Sequence, residues 1–289
     1  MTNPADDKPK LLVTGAAGGM GRAAAILAAM EGTSLILADL DSERLNALAA
    51  ECIDLGAPAA QPCVLDVTDG EAVAALLDTL PSEPSLGGII HTVGLSPQMA
   101  DWRRIVDVDL VGSVSLLEQL RPHLCPGAAA VAIASMSAYL CPPDEVVDTL
   151  LDDPLHTEFD AQLTQAVVQQ PLLKDSGMAY AWSKAALTRW VTRAASTWGK
   201  EGKRLVSVSP GLIDTDMGRL ENNSMGEEQL SAMKQRIALE RLGTADDIAQ
   251  TALFLASAKA AYITGCDILV DGGFVASVQA TTREGQGVD

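Results

Sequence analysis

The sequence predicts an α/β fold in three layers, with helices on both faces of a parallel sheet. Short strand-like runs alternate with longer helical stretches along the 289 residues, and that βαβα order implies a parallel sheet. The strand-like runs are continuously apolar, as strands covered on both faces are. A glycine-rich turn, Thr14-Gly15-Ala16-Ala17-Gly18-Gly19-Met20-Gly21, separates the first run from the first helix.

In chain order, Leu11–Thr14 reads as the first strand and Met20–Met30 as the first helix. Ser34–Asp39 is a strand and Ser42–Leu55 a helix; Cys63–Leu65 is a strand and Asp69–Leu80 a helix. Gly88–Thr92 precedes a long helix over Arg104–Leu120, and Ala128–Ser135 is an all-apolar strand. A helix over Tyr180–Trp198, a strand at Leu205–Ser209, a helix over Ala245–Ala256 and a strand at Asp267–Val270 complete the series. No internal repeat or low-complexity linker interrupts it, so one domain over residues 1–289 is expected. The small, polar residues Ala280–Asp289 are expected to fray.

Composition narrows the function. A net charge of −18 argues against nucleic acid and anionic membranes as partners. Hydrophobic residues make up 48% of the chain, ample for a core, yet no apolar run approaches the ~20 residues of a membrane span. Five scattered cysteines without Cys-x-x-Cys fit free thiols in a reducing cytoplasm. His91, His123 and His156 lie far apart, and no metal site is expected. The polar segment Met1 to Lys10 has no apolar signal-peptide core.

The glycine turn sits where a βαβ unit holds a dinucleotide. Glycine permits the tight turn and lets backbone N–H groups approach a pyrophosphate at the helix N-terminus. Asp39 ends the second strand eighteen residues after Gly21, with Leu40 following it. A carboxylate there accepts hydrogen bonds from both ribose hydroxyls and repels a 2′-phosphate, which favours NAD over NADP. Arg22 and Arg44 are read as an ordinary first-turn arginine and an exposed helix arginine. Asp66-Val67 follows the third strand, where Asp66 either meets the adenine edge or caps the next helix.

Tyr180 and Lys184 stand four residues apart, on one face of a helix. For a tyrosine to serve as a base near neutrality its pKa must fall by about 3 units, or ~4 kcal/mol. An ammonium ~4 Å away supplies about that much at an effective dielectric near 20.

Taken together and in this order, the motifs resemble those of the short-chain dehydrogenase/reductase family over nearly the whole chain. Thr14, Gly15, Gly19 and Gly21 match its Thr-Gly-x-x-x-Gly-x-Gly turn, and Asp66-Val67 its adenine-side motif. Tyr180 and Lys184 match its Tyr-x-x-x-Lys pair; Ser135 ends the fifth strand where the family carries its serine. Ser209-Pro210-Gly211-Leu212-Ile213-Asp214-Thr215 matches its nicotinamide-side stretch, and Arg241-Leu242-Gly243 and Ala261 through Gly273 its C-terminal third. The resemblance implies a Rossmann-type doubly wound sheet holding NAD on Gly15, Gly19, Met20, Gly21, Asp39, Leu40, Asp66, Val67, Gly94, Pro210, Gly211, Ile213 and Thr215, together with Tyr180 and Lys184. Tyr180 would exchange a proton with the substrate oxygen. Lys184 would lower the pKa of Tyr180 and bond the nicotinamide ribose. Ser135 would polarise the oxygen. The Ile213 backbone and the Thr215 hydroxyl would fix the carboxamide.

Three departures stand out. His91-Thr92-Val93-Gly94 replaces the family's Asn-Asn-Ala-Gly; Gly94 keeps the close approach, and His91 is read as a buried, hydrogen-bonded histidine. Asp109 occupies the position of the family's catalytic asparagine, where it substitutes through its main-chain carbonyl or alters the proton relay. Ser135 and Tyr180 are 45 positions apart, leaving residues 138–178 as an insertion far longer than a median connection of ~4–6 residues. Leu150, Leu151, Leu155, Phe159 and Leu163 recur in it at helical spacing, so amphipathic helices are expected. A comparable insertion marks the bacterial 3α-hydroxysteroid dehydrogenase/carbonyl reductases. The insertion reads as a substrate lid, a subunit contact or surface decoration. The segment 214–236, with Asn222, Asn223 and Gly226, is a second lid candidate. The expectation is an NAD(H)-dependent oxidoreductase, cytoplasmic and homodimeric or homotetrameric, that interconverts a secondary alcohol and a ketone on a hydrophobic, cyclic small molecule. The alternative is a non-catalytic NAD-sensing protein on the same fold.

Overall fold

The computed structural model describes residues 9–286, with the side chains of 221–225, 229 and 282–286 outside the description. Strand β1 (Lys10–Thr14) enters α1 (Gly19–Met30), and β2 (Leu35–Asp39) enters α2 (Ser42–Asp54). Next come β3 (Ala60–Val64), α3 (Gly70–Asp78) and β4 (Leu86–His91). Helix α4 (Trp102–Val106) runs through a π-turn (Asp107–Gly112) into α5 (Ser113–Leu120), which leads to β5 (Leu124–Ile133). The insertion holds α6 (Ser137–Leu140), α7 (Glu145–Leu151) and α8 (Phe159–Gln169), ahead of the long α9 (Ser176–Lys200). The chain closes with β6 (Arg204–Pro210), β7 (Ile213–Asp214), α10 (Asp216–Met225), α11 (Glu227–Gln235), β8 (Gly243–Thr244), α12 (Ala245–Ala256), β9 (Asp267–Val270) and α13 (Phe274–Gln286).

Seven strands form one parallel sheet in the order β3-β2-β1-β4-β5-β6-β9, the doubly wound Rossmann-type arrangement. Strand residues alternate between two cores, as a period of two requires. Leu12, Ile36 and Ile89 face α3–α5 and α7–α9, whereas Val13, Leu35 and Ile90 face α1, α2 and α12. Alanines 23, 24, 25, 28 and 29 of α1 are buried, which lets that helix lie close to the sheet. Strand order reverses between β1 and β4, and the crevice at their C-terminal ends is where open α/β sheets bind ligands.

The elements differ from expectation in five places. The fifth strand runs over Leu124–Ile133 rather than Ala128–Ser135, so Ser135 follows its end. The third strand is Ala60–Val64, which starts three residues before the expected Cys63–Leu65 and ends one before it; Pro62 disguised its start, yet proline is tolerated on an edge strand such as this one. The helix expected over Arg104–Leu120 contains the π-turn. Helix α9 begins at Ser176 rather than Tyr180, because the Asp175 side chain accepts from Met178 N and caps it there. The tail expected to fray from Ala280 is helical to Gln286; residues 287–289 lie outside the described residues.

The expected amphipathic helices of the insertion are α7 and α8. Val147, Leu151, Phe159, Leu163, Ala166 and Val167 join the main core, while Leu155, in the turn between the helices, is exposed. Three of the insertion's acidic side chains meet basic partners: Asp148 and Asp152 pair with Arg189, Asp152 also with Arg193, and Asp160 with Arg103. The segment 214–236 folds as α10 and α11; Asn222 and Asn223 lie outside the described side chains. Among the described residues, no helix is long and apolar enough to cross a membrane.

Candidate active site

Two cavities meet at the C-terminal edge of the sheet and share Met217 as a common wall. The first, of about 450 Å³, is lined by Gly15, Asp39, Leu40, Asp66, Val67 and Gly94, with Arg44, Thr92 and Arg104 beside them. The second, of about 310 Å³, is lined by Met20, Ser135, Tyr180, Pro210, Gly211, Ile213 and Thr215. Met20, expected among the cofactor-binding residues, lines the second cavity with Pro210, Gly211, Ile213 and Thr215 of the same expectation.

The glycines of the turn permit close approach of the neighbouring backbone and side chains. Gly15 has φ +72°, and a Cβ there would meet Thr92 Oγ1 at 2.6 Å. A Cβ on Gly19 would strike Thr215 Cγ2 at 2.7 Å, and one on Gly21 would strike the Gly15 carbonyl. Gly19 and Gly21 thus permit packing behind the groove, while Gly15 forms its wall. The Thr92 hydroxyl donates to the carbonyls of Thr14 (2.9 Å) and Gly15 (3.2 Å), which braces the turn from β4.

Asp39 is held in place by the turn it faces. Its Oδ2 accepts from Ala17 N at 2.9 Å and its Oδ1 from Leu40 N at 2.7 Å. Each oxygen retains capacity for a ribose hydroxyl. Arg22 pairs with Glu51 at 2.7 Å and does not line the groove. Arg44 does line it, 3.9 Å from Asp216, so its reading as a mere exposed helix residue is incomplete. Asp66 is not a helix cap: Asp69 caps α3. Asp66 instead bonds Thr68 N (2.8 Å) and Arg104 Nη2 (2.8 Å). Burial pulls its carboxyl up, but these bonds outweigh it and hold it below the usual carboxylate range.

His91 is fully buried between β1 and the π-turn. Its Nδ1 lies 2.7 Å from Thr14 Oγ1 and its Nε2 2.9 Å from Ser113 Oγ. Ser113 donates onward to Val108 O at 2.9 Å, so the network assigns the proton to Nε2 and makes Nδ1 the acceptor. Burial, reinforced by the Lys184 charge, pushes the imidazole down to about 3, so it is neutral at physiological pH. This is the buried, bonded histidine that the sequence suggested.

Lys184 and Asp109 do not reach either cavity wall. They lie behind Gly94, where an added Cβ would sit 2.9 Å from Lys184 Nζ. Lys184 Nζ is 3.1 Å from Asp109 Oδ2, with side-chain exposures of 4% and 0%. Lys184 also faces the Ile133 carbonyl at 3.4 Å, and its ammonium lies 5.6 Å from the centre of the Tyr180 ring. Asp109 Oδ1 accepts from Leu95 N at 2.8 Å. Burial pushes the Asp109 carboxyl up, against the pull of Lys184. The π-turn sets this geometry by turning Asp109 inward.

Ser135 Oγ accepts from Ser137 N at 3.2 Å and stands with Tyr180 in the second cavity. Thr215 caps α10, its Oγ1 accepting from Gly218 N at 3.1 Å, which leaves the hydroxyl proton free to donate elsewhere. Sequence reasoning missed the apolar wall: Met136, Met178, Met217 and Met233, with Leu140 and Pro142. With Met20, five of the chain's nine methionines line this one cavity. Methionines scattered over loops and helix ends carry no periodic signal that would have revealed them.

Comparison with known proteins bears on the family and the fold. Residues 15–147 and 163–275 match the family described as enoyl-(acyl carrier protein) reductase, and the break falls inside the insertion. The chain is 31% identical over 277 residues to an uncharacterized short-chain type dehydrogenase/reductase of Sinorhizobium fredii, covering 92% of this chain and 43% of that one. It is 29% identical to the 3-alpha-hydroxysteroid dehydrogenase/carbonyl reductase of Comamonas testosteroni, over 75% of this chain and 88% of that one. The solved structure of a short-chain type dehydrogenase/reductase from Mycobacterium ulcerans superposes with TM-score 0.72 at 25% identity, covering 94% of this chain and 90% of that one.

Proposed function

Because this chain belongs to the short-chain dehydrogenase/reductase family, we propose that it uses NAD(H) to interconvert a secondary alcohol and a ketone on an apolar, ring-bearing small molecule. Dehydrogenase action on a CH–OH group with a nicotinamide cofactor is the family's chemistry. The observation that carries the finer reading is the second cavity, where Ser135 and Tyr180, with Gln98, Ser137 and Thr215, are set in a wall otherwise dominated by methionine, leucine and proline. A methionine wall is apolar and adaptable, and suits a bulky hydrocarbon better than a polyol. We read residues 1–289 as one domain built around this site.

The cavity pair fits the cofactor. Backbone N–H groups of the Gly15–Gly19 turn and the N-terminus of α1 would hold the pyrophosphate. The Asp39 carboxylate would take the adenosine ribose and disfavour a 2′-phosphate, while Arg44 is drawn toward Asp216. Ile213 and Thr215 would hold the carboxamide and so fix the ring face. When bound, the cofactor supplies the hydride acceptor or donor. Tyr180 then takes the alcohol proton in oxidation or returns it in reduction, and Ser135 bonds the same oxygen as charge develops on it. Lys184 acts on Tyr180 from behind the wall, through its charge.

The test is nicotinamide absorbance with a panel of cyclic ketones and sugar-like polyols, run with both NADH and NADPH. Turnover of the apolar ketones with kcat/KM at least tenfold higher for NADH is expected. A preference for polyols, or for NADPH, would refute the corresponding half.

A further inference from the structure

One charged group in the site has no counterpart in the acid/base scheme just given. The carboxylate of Asp109 is fully buried and lies 3.1 Å from Lys184 Nζ, the cation expected to acidify Tyr180. A cation can favour a phenolate only to the extent that its field is not cancelled nearby. In a buried site that cancellation is large, because no water or salt screens the pair.

We infer that Asp109 is a positioning residue whose carboxylate, paired with Lys184, restrains the pull of that ammonium on the Tyr180 phenol and thereby sets the pH range in which the site works. The inference rests on Tyr180 being the acid/base group of the proposed reaction. Three features support it. The carboxylate is fixed rather than mobile, since Leu95 N holds Oδ1 at 2.8 Å and the π-turn holds its backbone. The π-turn is itself fixed by the buried string from Thr14 through His91 and Ser113 to the Val108 carbonyl. Gly94 leaves the space in which the two charges meet, with Lys184 Nζ and Asp109 Oδ2 2.9 and 3.3 Å from where a Cβ would be.

Among the described residues, the other charges around α9 are paired elsewhere or exposed. Asp107 pairs with Arg103, and Arg104 with Asp66. On α7, Asp148 pairs with Arg189 further along α9, and Glu145 is exposed. On α6, Tyr139 donates to Asp267 of β9, which also accepts from Ser207 of β6. Arg204 of β6 donates to carbonyls at the end of α12, and Lys174 in the turn before α9 is exposed. His91 of β4 feels the Lys184 charge and stays neutral. Asp109 is therefore the carboxylate that faces Lys184.

The experiment compares the pH dependence of kcat/KM for alcohol oxidation in the wild type, Asp109→Asn, Asp109→Ser and Asp109→Glu. It is read alongside ultraviolet titration of tyrosinate with a Tyr180→Phe subtraction. That subtraction is tractable because the chain has three tyrosines, with Tyr262 fully exposed and Tyr139 pushed well above the usual range by burial and by Asp267. Removing the carboxylate frees the Lys184 field, so the acid limb and the Tyr180 titration should both move about one pH unit lower in the Asn and Ser variants. Below the limb, those variants would be about tenfold faster than wild type. The Glu variant keeps the charge, so its acid limb should stay near that of wild type even where its turnover falls. Asp109→Ser removes the charge without placing an amide against Leu95, so one poorly folding protein does not decide the result; NADH fluorescence enhancement checks that each variant is folded. An acid limb unmoved, or moved higher, in a folded Asn or Ser variant overturns the inference. That failure is distinct from failure of the proposed reaction, which would show as near-full activity in Tyr180→Phe.

Discussion

Helix α9 carries two sets of cation–carboxylate pairs, and they differ in burial. Near its start, Lys184 meets Asp109 with side-chain exposures of 4% and 0%. Two turns later, Arg189 and Arg193 meet Asp148 and Asp152, all near 30–40% exposed. The chemistry is the same and the physical consequences are opposite. Exposed pairs gain little from Coulomb attraction and are screened by salt, so they serve to seat the insertion against the helix. The buried pair cannot be broken cheaply, because removing one partner strands a charge in low dielectric. One helix thus ties down an accessory segment with weak contacts and sets the electrostatics of a site with one strong contact.

The largest effect should come at the buried end. Tyr180→Phe keeps the ring and removes the proton carrier, so turnover should fall about 10²–10⁴-fold. NADH affinity, followed by fluorescence titration, should change less than about threefold. Full activity in this variant would detach the buried pair from any catalytic role. Lys184→Met comes next. It leaves Asp109 buried without its cation, and stability in urea should drop by about 3 kcal/mol. Adding Asp109→Asn should recover most of that loss without restoring turnover. Recovery of neither, or of both, would contradict the division between structural and electrostatic roles of the pair.

A third effect concerns His91, which shares the buried region with Lys184. Its folded pKa of about 3 lies below the ordinary value of 6.5, so between these values the unfolded chain binds a proton that the folded chain does not. Stability should therefore be full above pH 6.5 and fall as pH drops from there toward 3, by roughly 2 kcal/mol over the first two units. A His91→Asn variant removes that proton uptake, and its stability should fall less over the same range. Equal acid sensitivity in the two proteins, measured by denaturant titration at each pH, would place the titrating group elsewhere.

Much of this was legible in the chain. The glycine turn, Asp39, Ser135, Tyr180 and Thr215 were readable because each sits at a strand end or at fixed helical spacing. Neither the Asp109–Lys184 contact nor the methionine wall could be read that way. The resemblance marked Asp109, but Lys184 lies 75 positions further along the chain, and no spacing or periodicity links the two residues. The acidic residues of the insertion looked like a solvated run, and their partners Arg103, Arg189 and Arg193 lie 30 to 60 positions away in sequence. Cap residues misled in the same way: Asp66 and Asp69 both precede α3, and only the backbone shows that Asp69 takes the cap.

The exposed end of α9 supplies the smallest effect and the sharpest contrast. Arg189 holds Asp152 at 2.6 Å and Asp148 at 3.0 Å, while Arg193 holds Asp152 at 2.8 Å. Arg189→Gln breaks two of these contacts; Arg193 stays on Asp152, and Asp148, whose side chain is 29% exposed, is left to solvent. Solvent screening holds the expected loss to about 0.5–1 kcal/mol. The apolar contacts of Val147, Leu151, Phe159 and Leu163 with the main core remain, and they keep the insertion seated. Turnover should stay within about twofold, since the helices α7 and α8 do not form the cavity wall. Salt separates this pair from the buried one. At ~1 M ionic strength the screening length is about 3 Å, so the difference between Arg189→Gln and wild type should largely vanish. The loss from Lys184→Met should persist at the same salt, because ions do not enter the space behind Gly94. Denaturant curves for both variants at low and high salt measure this directly. If the two losses shrank in parallel, burial would not be what separates the two ends of the helix.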